Sequence, residues 1–244
     1  MQNPKRMLDL FSGTGSVGQV FLERGFEVVS VDADPQYQPD ICVDVLEWDY
    51  RKAYPPGHFE TDFCLASTKV SSHIIFAAPP CTEYSTLNVD ACAHTHADPA
   101  LLTSRPRRLA QADRIVRRAL EIIKYFAPKT WMMESRPLLF WRHLTENPRC
   151  GMLARRPFMI GRPYINVDYC MFSDWGYRKS TRIWGSPDVT DRPDVVCHWR
   201  CNNLIDGKHR TTIGGGRVPL HLLYRIPKQL VEYLCGWCPS PLST

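Results

Sequence analysis

Three glycines at fixed spacing, Gly13-x-Gly15-x-x-Gly18, stand between the apolar run Met7-Leu8-Asp9-Leu10-Phe11 and a stretch whose apolar residues Val20, Phe21, Leu22 and Phe26 follow helical spacing. That order reads as strand, tight turn, helix. The β-branched segment Glu27-Val28-Val29-Ser30-Val31-Asp32 comes next, as a return strand would, so the chain opens with a βαβ unit. A later run, Ile74-Ile75-Phe76-Ala77-Ala78, stops at Pro79-Pro80-Cys81. A helix is predicted from about Leu109 to Phe126, with Ile115, Val116, Leu120, Ile122 and Ile123 on its core side and Arg114, Arg117 and Arg118 among its polar positions. Thr130-Trp131-Met132-Met133-Glu134 reads as a further strand. This alternation predicts an α/β fold with a doubly wound, mostly parallel sheet, helices on both faces, and ligands at the carboxyl ends of the strands.

Composition narrows the class without naming the chemistry. The 244 residues are 44% hydrophobic and 23% charged with 14 Gly and 20 Pro, which fits one folded domain plus at most a small appendage and excludes disordered, collagenous and coiled-coil chains. No run approaches the roughly 18 apolar residues of a membrane helix, and Met1 to Arg6 lead into the first strand without a signal-peptide core, so an intracellular soluble protein is expected. The formal charge of +5 permits a polyanionic partner without requiring one. Ten cysteines, irregularly spaced and without an export signal, read as reduced thiols. Two pairs, Cys197-x3-Cys201 and Cys235-x2-Cys238, have the look of zinc ligands, but they lie far apart and Cys235 fits the buried face of a helix, so no metal is assigned.

The glycine spacing with Asp32 about 20 residues on satisfies a dinucleotide fingerprint. Its physical basis is shared by any adenosine ligand: glycines let the backbone approach, a helix start offers N–H groups, and an acid at the second strand end accepts from ribose hydroxyls. NAD and S-adenosylmethionine are equally open on this motif, as is a purely structural turn. Asp9 inside the first strand and Phe11 at its tip are unusual for a pyrophosphate loop. Cys81, placed after a strand by two prolines and followed by Thr82-Glu83-Tyr84-Ser85, stands where such a sheet presents catalytic groups and can serve as a thiolate nucleophile.

Asp9-Leu10-Phe11-Ser12-Gly13-Thr14-Gly15, with Pro79-Pro80-Cys81 and Ser85 downstream, resembles the first and fourth motifs of the cytosine-5 methyltransferase family, in the family's order. Asp44-Val45 after Ile41-Cys42-Val43 resembles the third motif, Thr181-Arg182-Ile183-Trp184 the arginine-bearing eighth, and Tyr224-Arg225-Ile226-Pro227-Lys228-Gln229-Leu230 the last, which returns to the cofactor. The resemblance covers most of the chain and is strongest to compact phage-like or algal members. It implies a Rossmann-like methyltransferase fold and methyl transfer from S-adenosylmethionine to carbon 5 of a flipped cytosine in DNA. The implied cofactor residues are Asp9, Phe11, Ser12, Gly13, Thr14, Gly15, Asp32, Asp44 and Pro80. The implied catalytic ones are Cys81, a glutamate at position 134 or 146, and Arg182.

The sequence departs from the family in two places. The sixth motif, a strand ending in Glu-Asn-Pro, is split: Glu134 has the strand but is followed by Ser135-Arg136, while Glu146 has Asn147-Pro148 but is preceded by His143-Leu144-Thr145. Removing Ser135 to Glu146, or Glu134 to Thr145, restores the motif, and removing Thr61 to His73 likewise joins Glu60 to the run before the Pro-Pro-Cys turn. Both segments read as in-frame insertions of the kind retained introns produce. The recognition region is also short, from about Gly185 to Pro219, with Ser85, Arg182, Arg200, Lys208, Arg210 and Arg217 as expected nucleic-acid contacts beside the loop Gly214-Gly215-Gly216. The expected layout is a catalytic body over 1–184, a rudimentary recognition lobe over 185–219, and a helix in 220–244 returning to the body. A monomer acting on duplex DNA away from membranes is expected, nuclear in a eukaryote and otherwise cytoplasmic. Other readings left open are a catalytically impaired relative that only binds, the same chemistry on transfer RNA, and, weakest, a nicotinamide oxidoreductase.

Overall fold

A computed structural model describes residues 5–56, 58, 73–84, 99–135, 153–213 and 217–238. Ser85, Glu146, Gly214-Gly215-Gly216 and all of the two inserted segments except His73 and Ser135 lie outside the described residues. Seven strands form the main sheet: β1 (Arg6–Leu10), β2 (Glu27–Asp32), β3 (Ile41–Cys42), β4 (Ile74–Ala77), β5 (Thr130–Ser135), β6 (Tyr164–Asp168) and β7 (Ser180–Gly185), in spatial order β3-β2-β1-β4-β5-β7-β6. The first five are mutually parallel, and β7 runs antiparallel to both β5 and β6. This is the Rossmann-like, mostly parallel arrangement that the alternation of elements predicts.

The helices are α1 (Ser16–Leu22), α2 (Tyr50–Ala53), α3 (Pro99–Phe126), α4 (Pro187–Thr190), α5 (Leu220–Leu223) and α6 (Lys228–Leu234). Because strand side chains alternate faces, each central strand feeds two cores. Met7, Ile74, Phe76, Met132 and Ile183 face α1 and α6, meeting Phe21, Leu230 and Val231. Leu8, Leu10, Ile75, Ala77 and Met133 face α3, meeting Val116, Ala119, Ile122 and Phe126, with Trp48 and Tyr50 beside them. The helix predicted from Leu109 starts ten residues earlier, at Pro99, and carries Pro106 inside it. Periodic apolar residues begin only at Leu109, and a proline, which lacks the N–H of the helical ladder, reads as a break unless tertiary packing overrides it.

Of the segment read as the first insertion, His73 is buried against the sheet, where its Nδ1 accepts from the Arg6 N–H at 3.2 Å. Ser135 closes β5 opposite Arg182. Ser135 therefore takes part in strand pairing, and His73 ties the residue before β4 to the start of β1. The last segment returns to the start of the chain: the Ile226 N–H donates to Ser16 Oγ at 3.0 Å, and Arg24 and Lys228 pair with Glu232 and Glu23 across the α1–α6 contact. No helix among the described residues is long and apolar enough to cross a membrane.

Asp9 is the one acid in β1 and is 2% exposed. The pleat turns it, with Met7, toward α1, where its Oδ2 accepts from the Gly18 N–H at 3.1 Å and so satisfies one of the helix's unpaired amino-terminal donors. A Cβ on Gly18 would come within 3.3 Å of that oxygen and 3.2 Å of Val28, which is why a glycine stands there. Burial pushes the Asp9 carboxyl up to about 7; the Gly18 N–H opposes the shift and the Asp32 charge adds to it. A folded-state value raised above the unfolded one makes a contribution that is fully present near pH 4 and lost as pH rises through 7. Asp9→Asn removes that titration. The stability of the variant minus that of wild type should therefore rise between pH 4 and 8 by on the order of 2–4 kcal/mol, measured by urea denaturation across pH; a difference that stays flat would refute the assignment.

Candidate active site

The strand order reverses between β1 and β4, so the chain leaves the carboxyl ends of these neighbouring strands in opposite directions and opens a crevice there. A cavity of about 620 Å³ fills it. Its walls include Asp9, Phe11, Ser12, Gly13, Asp32, Asp44, Pro80, Cys81 and Glu134, gathered from five separate stretches of sequence. Thr14 and Gly15 shape the turn from outside this lining. Gly13 and Gly15 adopt φ of 46° and 68°, and Gly15 caps α1, so the backbone swings around the cavity where a side chain would be strained. Phe11 itself sits at φ 61°, an uncommon conformation for an aromatic residue, held by its N–H bond of 2.8 Å to the Val31 carbonyl.

Asp32 ends β2 facing this turn. Its Oδ2 accepts from the Gly13 N–H at 2.8 Å and its Oδ1 from the Asp34 N–H at 2.9 Å. Each carboxylate oxygen has a second lone pair, which leaves Asp32 able to accept from a ligand diol while it braces the glycine turn. Asp44, exposed at the rim, accepts from the Leu46 N–H at 2.9 Å.

Cys81 lies half-buried just past the end of β4. The residues after it, Thr82–Tyr84, form one 3-10 turn that is fastened from below: the Tyr84 hydroxyl donates to Asp113 on α3 at 2.9 Å, and Arg156 pairs with the same carboxylate. Arg108 on α3 also pairs with Glu83 at 3.1 Å. The thiol thus rides on a turn tied to the longest helix of the fold.

Glu134 is 5% exposed near the end of β5. Its Oε1 accepts from the Tyr169 hydroxyl at 3.3 Å and stands 3.5 Å from Lys179 Nζ, which also donates to the Leu223 carbonyl at 3.0 Å. Lys179 and Tyr169 were not among the expected site residues. Arg182, which was, lies on the other face of the sheet: its guanidinium covers the Tyr164 ring at 3.7 Å and its Nε donates to Asn166 at 3.0 Å. Strand pleating explains the exchange. Glu134 pairs directly with Ile183, so residues 183, 181 and 179 share its face whereas Arg182, one residue off, points away. Period-two reading from Glu134 would have found Lys179 only if the β5–β7 register were known.

The short C-terminal elements close the cavity with Leu220, His221, Tyr224 and Ile226. Residues 186–195 pack on the body, with Val189 and Val195 in the α1-side core and the Trp131 N–H bound to Ser186 Oγ at 3.1 Å. Beyond them Arg200, Lys208, Arg210 and Arg217 are exposed, and Arg210 is also held by the Asp174 carbonyl and Asn203, each at 2.7 Å. The two cysteine pairs weighed as one zinc set do not meet: Cys235 packs at the end of α6 in the α1-side core, while Cys197 and Cys201 lie together in a separate cluster with Cys170.

No protein-family model matches the chain. Solved structures similar to it include a putative DNA modification methyltransferase encoded within an Escherichia coli prophage (14% identity, TM-score 0.41) and an Entamoeba histolytica methyltransferase (12%, TM-score 0.41). The chain spans 55% and 62% of those two proteins, which align with 82% and 84% of it. A curated relative, the probable DNA (cytosine-5)-methyltransferase of frog virus 3, is 32% identical over 251 aligned residues that take in 96% of this chain and 100% of the relative. Near-complete coverage of both sequences at that identity, on a chain whose crevice gathers the glycine turn, Cys81 and Glu134, makes it a member of the DNA (cytosine-5)-methyltransferase family.

Proposed function

We propose that the chain methylates carbon 5 of cytosine in DNA with S-adenosylmethionine as donor. The observation that carries this reading is the meeting of Cys81, Glu134 and the glycine turn in one cavity. The residues present fit the donor: Asp32 offers free lone pairs to a ribose diol, Asp44 an acceptor for the adenine amino group, Phe11 and Pro80 two apolar walls, and the turn at Ser12 to Gly15 room for close backbone approach. When bound, the donor supplies an electrophilic methyl group on a sulfonium.

The chain's own residues make the other partner reactive. Carbon 5 of cytosine is a weak nucleophile, so the Cys81 thiolate adds to carbon 6, and the electron pair displaced from the 5,6 double bond moves toward N3. Glu134 delivers a proton to N3, which leaves the electron-rich centre at carbon 5. Lys179, 3.5 Å from Glu134, stabilises the carboxylate formed as that proton leaves, and Tyr169 holds the same oxygen in place. After methyl transfer a solvent-derived base takes the carbon 5 proton, elimination expels the Cys81 thiolate, and N3 returns its proton to Glu134. A cytosine within a duplex must first leave the stack at a cost of a few kcal/mol. Exposed Arg200, Lys208 and Arg217, on the lobe beyond residue 195, suit phosphate contacts that offset it.

Four outcomes test this reading. In the presence of S-adenosylmethionine, duplex DNA carrying 5-fluorocytosine should trap a denaturation-resistant adduct with the wild-type protein and none with Cys81→Ser; an adduct with the serine variant would refute the nucleophile. Glu134→Gln should lower kcat by about 10²–10⁴-fold. Lys179→Met should lower kcat at least about tenfold while leaving KM for the donor within about twofold, and equal losses in both would make it a structural residue instead. Combined Arg200→Ala and Lys208→Ala should weaken duplex binding at all sequences and reduce the salt slope by about two contacts, read by fluorescence anisotropy; an unchanged slope would remove the lobe from the interface.

A further inference from the structure

Four ligand-type side chains converge outside the cavity. Cys170, Cys197, Cys201 and His209 place three sulfur atoms and a ring nitrogen all within 4.8 Å of one another. The His209 Nε2 is 3.3 Å from Cys201 Sγ and 3.7 Å from Cys197 Sγ. In a tetrahedral zinc centre, metal–ligand bonds of about 2.3 Å to sulfur and 2.0–2.1 Å to nitrogen imply sulfur–nitrogen edges of roughly 3.5 Å, and these two distances bracket that value. The three cysteines are buried and none is joined in a disulfide. We infer that Cys170, Cys197, Cys201 and His209 form a structural zinc site that fastens the segment after residue 195 to the catalytic body.

The surroundings are built for ligands. Cys170 lies on the turn Tyr169–Met171 directly after β6, in the body, whereas the other three come from the lobe. His209 is delivered by the hairpin of β8 (Leu204–Ile205) and β9 (Lys208–His209), whose two-residue loop is Asp206-Gly207 with φ of 50° and 72°, the left-handed pair that a tight hairpin turn needs. Backbone N–H groups of Arg200 and Trp199 bond to the Cys197 sulfur and that of Asn203 to the Cys201 sulfur, which fixes where these two sulfurs point. Two buried polar residues anchor the loops behind the ligands. Asp168 accepts from the Cys197 N–H at 2.6 Å and from Arg178 at 2.9 Å, and Asn203 donates to the carbonyls of Cys170 and Ser173 at 2.9 and 2.7 Å.

The chemistry selects the metal. Three soft thiolates and one imidazole in a closed tetrahedral set suit zinc, and four protein ligands leave no open position, so the ion holds structure and does no catalysis. The need is physical as well. From Cys197 to His209 the apolar cluster consists of the cysteines with Met171 and Leu204, too little to order a loop by burial alone, while Trp199 and Ile205 remain exposed.

The test does not depend on methyl transfer. Full-length protein purified from zinc-supplemented medium and desalted should carry about one zinc per chain by elemental analysis, and cobalt exchanged into it should give thiolate-to-cobalt charge transfer with the visible bands of a tetrahedral centre. Cys201→Ser should lose the metal, and Cys238→Ser, at a cysteine outside the set, should keep it. Wild-type protein without zinc, iron with acid-labile sulfide in its place, or zinc that survives Cys201→Ser but not Cys238→Ser would each overturn the assignment. A site that holds zinc in a protein unable to methylate DNA would leave this inference standing and remove only the proposed activity.

Discussion

The parallel pairing of β1 with β4 is the contact on which the site depends. Leu10 lies opposite Ala77, and the Ala78 N–H donates to the Leu10 carbonyl at 3.1 Å, so the glycine turn and the Pro79-Pro80-Cys81 turn leave adjacent strands at the same level. Both strands are buried on both faces by the two cores, which holds their relative register to within one residue, because a slip would turn every side chain to the opposite face. The glycine turn and Cys81 are thereby brought together by backbone hydrogen bonds rather than by any interaction of their own.

The other half of the site rests on antiparallel pairing. β7 lies between β5 and β6 and delivers Lys179 to Glu134, while Tyr169, from the turn after β6, reaches the same carboxylate. A buried acid with a buried cation beside it is costly to assemble unless both are held by further hydrogen bonds, and Lys179 has the Leu223 carbonyl for that purpose. The C-terminal segment thus supports the Glu134–Lys179 pair as well as walling the cavity. It is itself held by α1, so the first and last parts of the chain stabilise one another.

The segment after residue 195 follows a different strategy. Residues 186–195 use the body's core, but the stretch that carries Arg200 and Lys208 has little apolar surface to bury. Side-chain cross-links substitute for a core there: Asn203 and Arg210 bond across to the loop at 173–176, and the cysteine and histidine cluster joins the hairpin to the turn after β6. A small basic surface can be kept in one orientation this way without the mass of a second domain.

Much of the body was legible in the sequence. The βαβ opening, β4, β5 and the core of α3 follow from apolar runs and periodicity, which local residue order records. Cys81, Phe11, Gly13, Asp32 and Asp44 follow from motifs whose members are close in the chain. The start of α3 at Pro99 did not, because no apolar repeat marks those turns. Only the tertiary structure decided three things: that Lys179 and not Arg182 faces Glu134, that Cys170 and His209 and not Cys235 and Cys238 join Cys197 and Cys201, and that Val189 and Val195 pack in the α1-side core. Each depends on strand register or on contacts between residues distant in sequence. Side-chain type and spacing set what a strand or turn can present, but pairing between strands sets which face it presents it to.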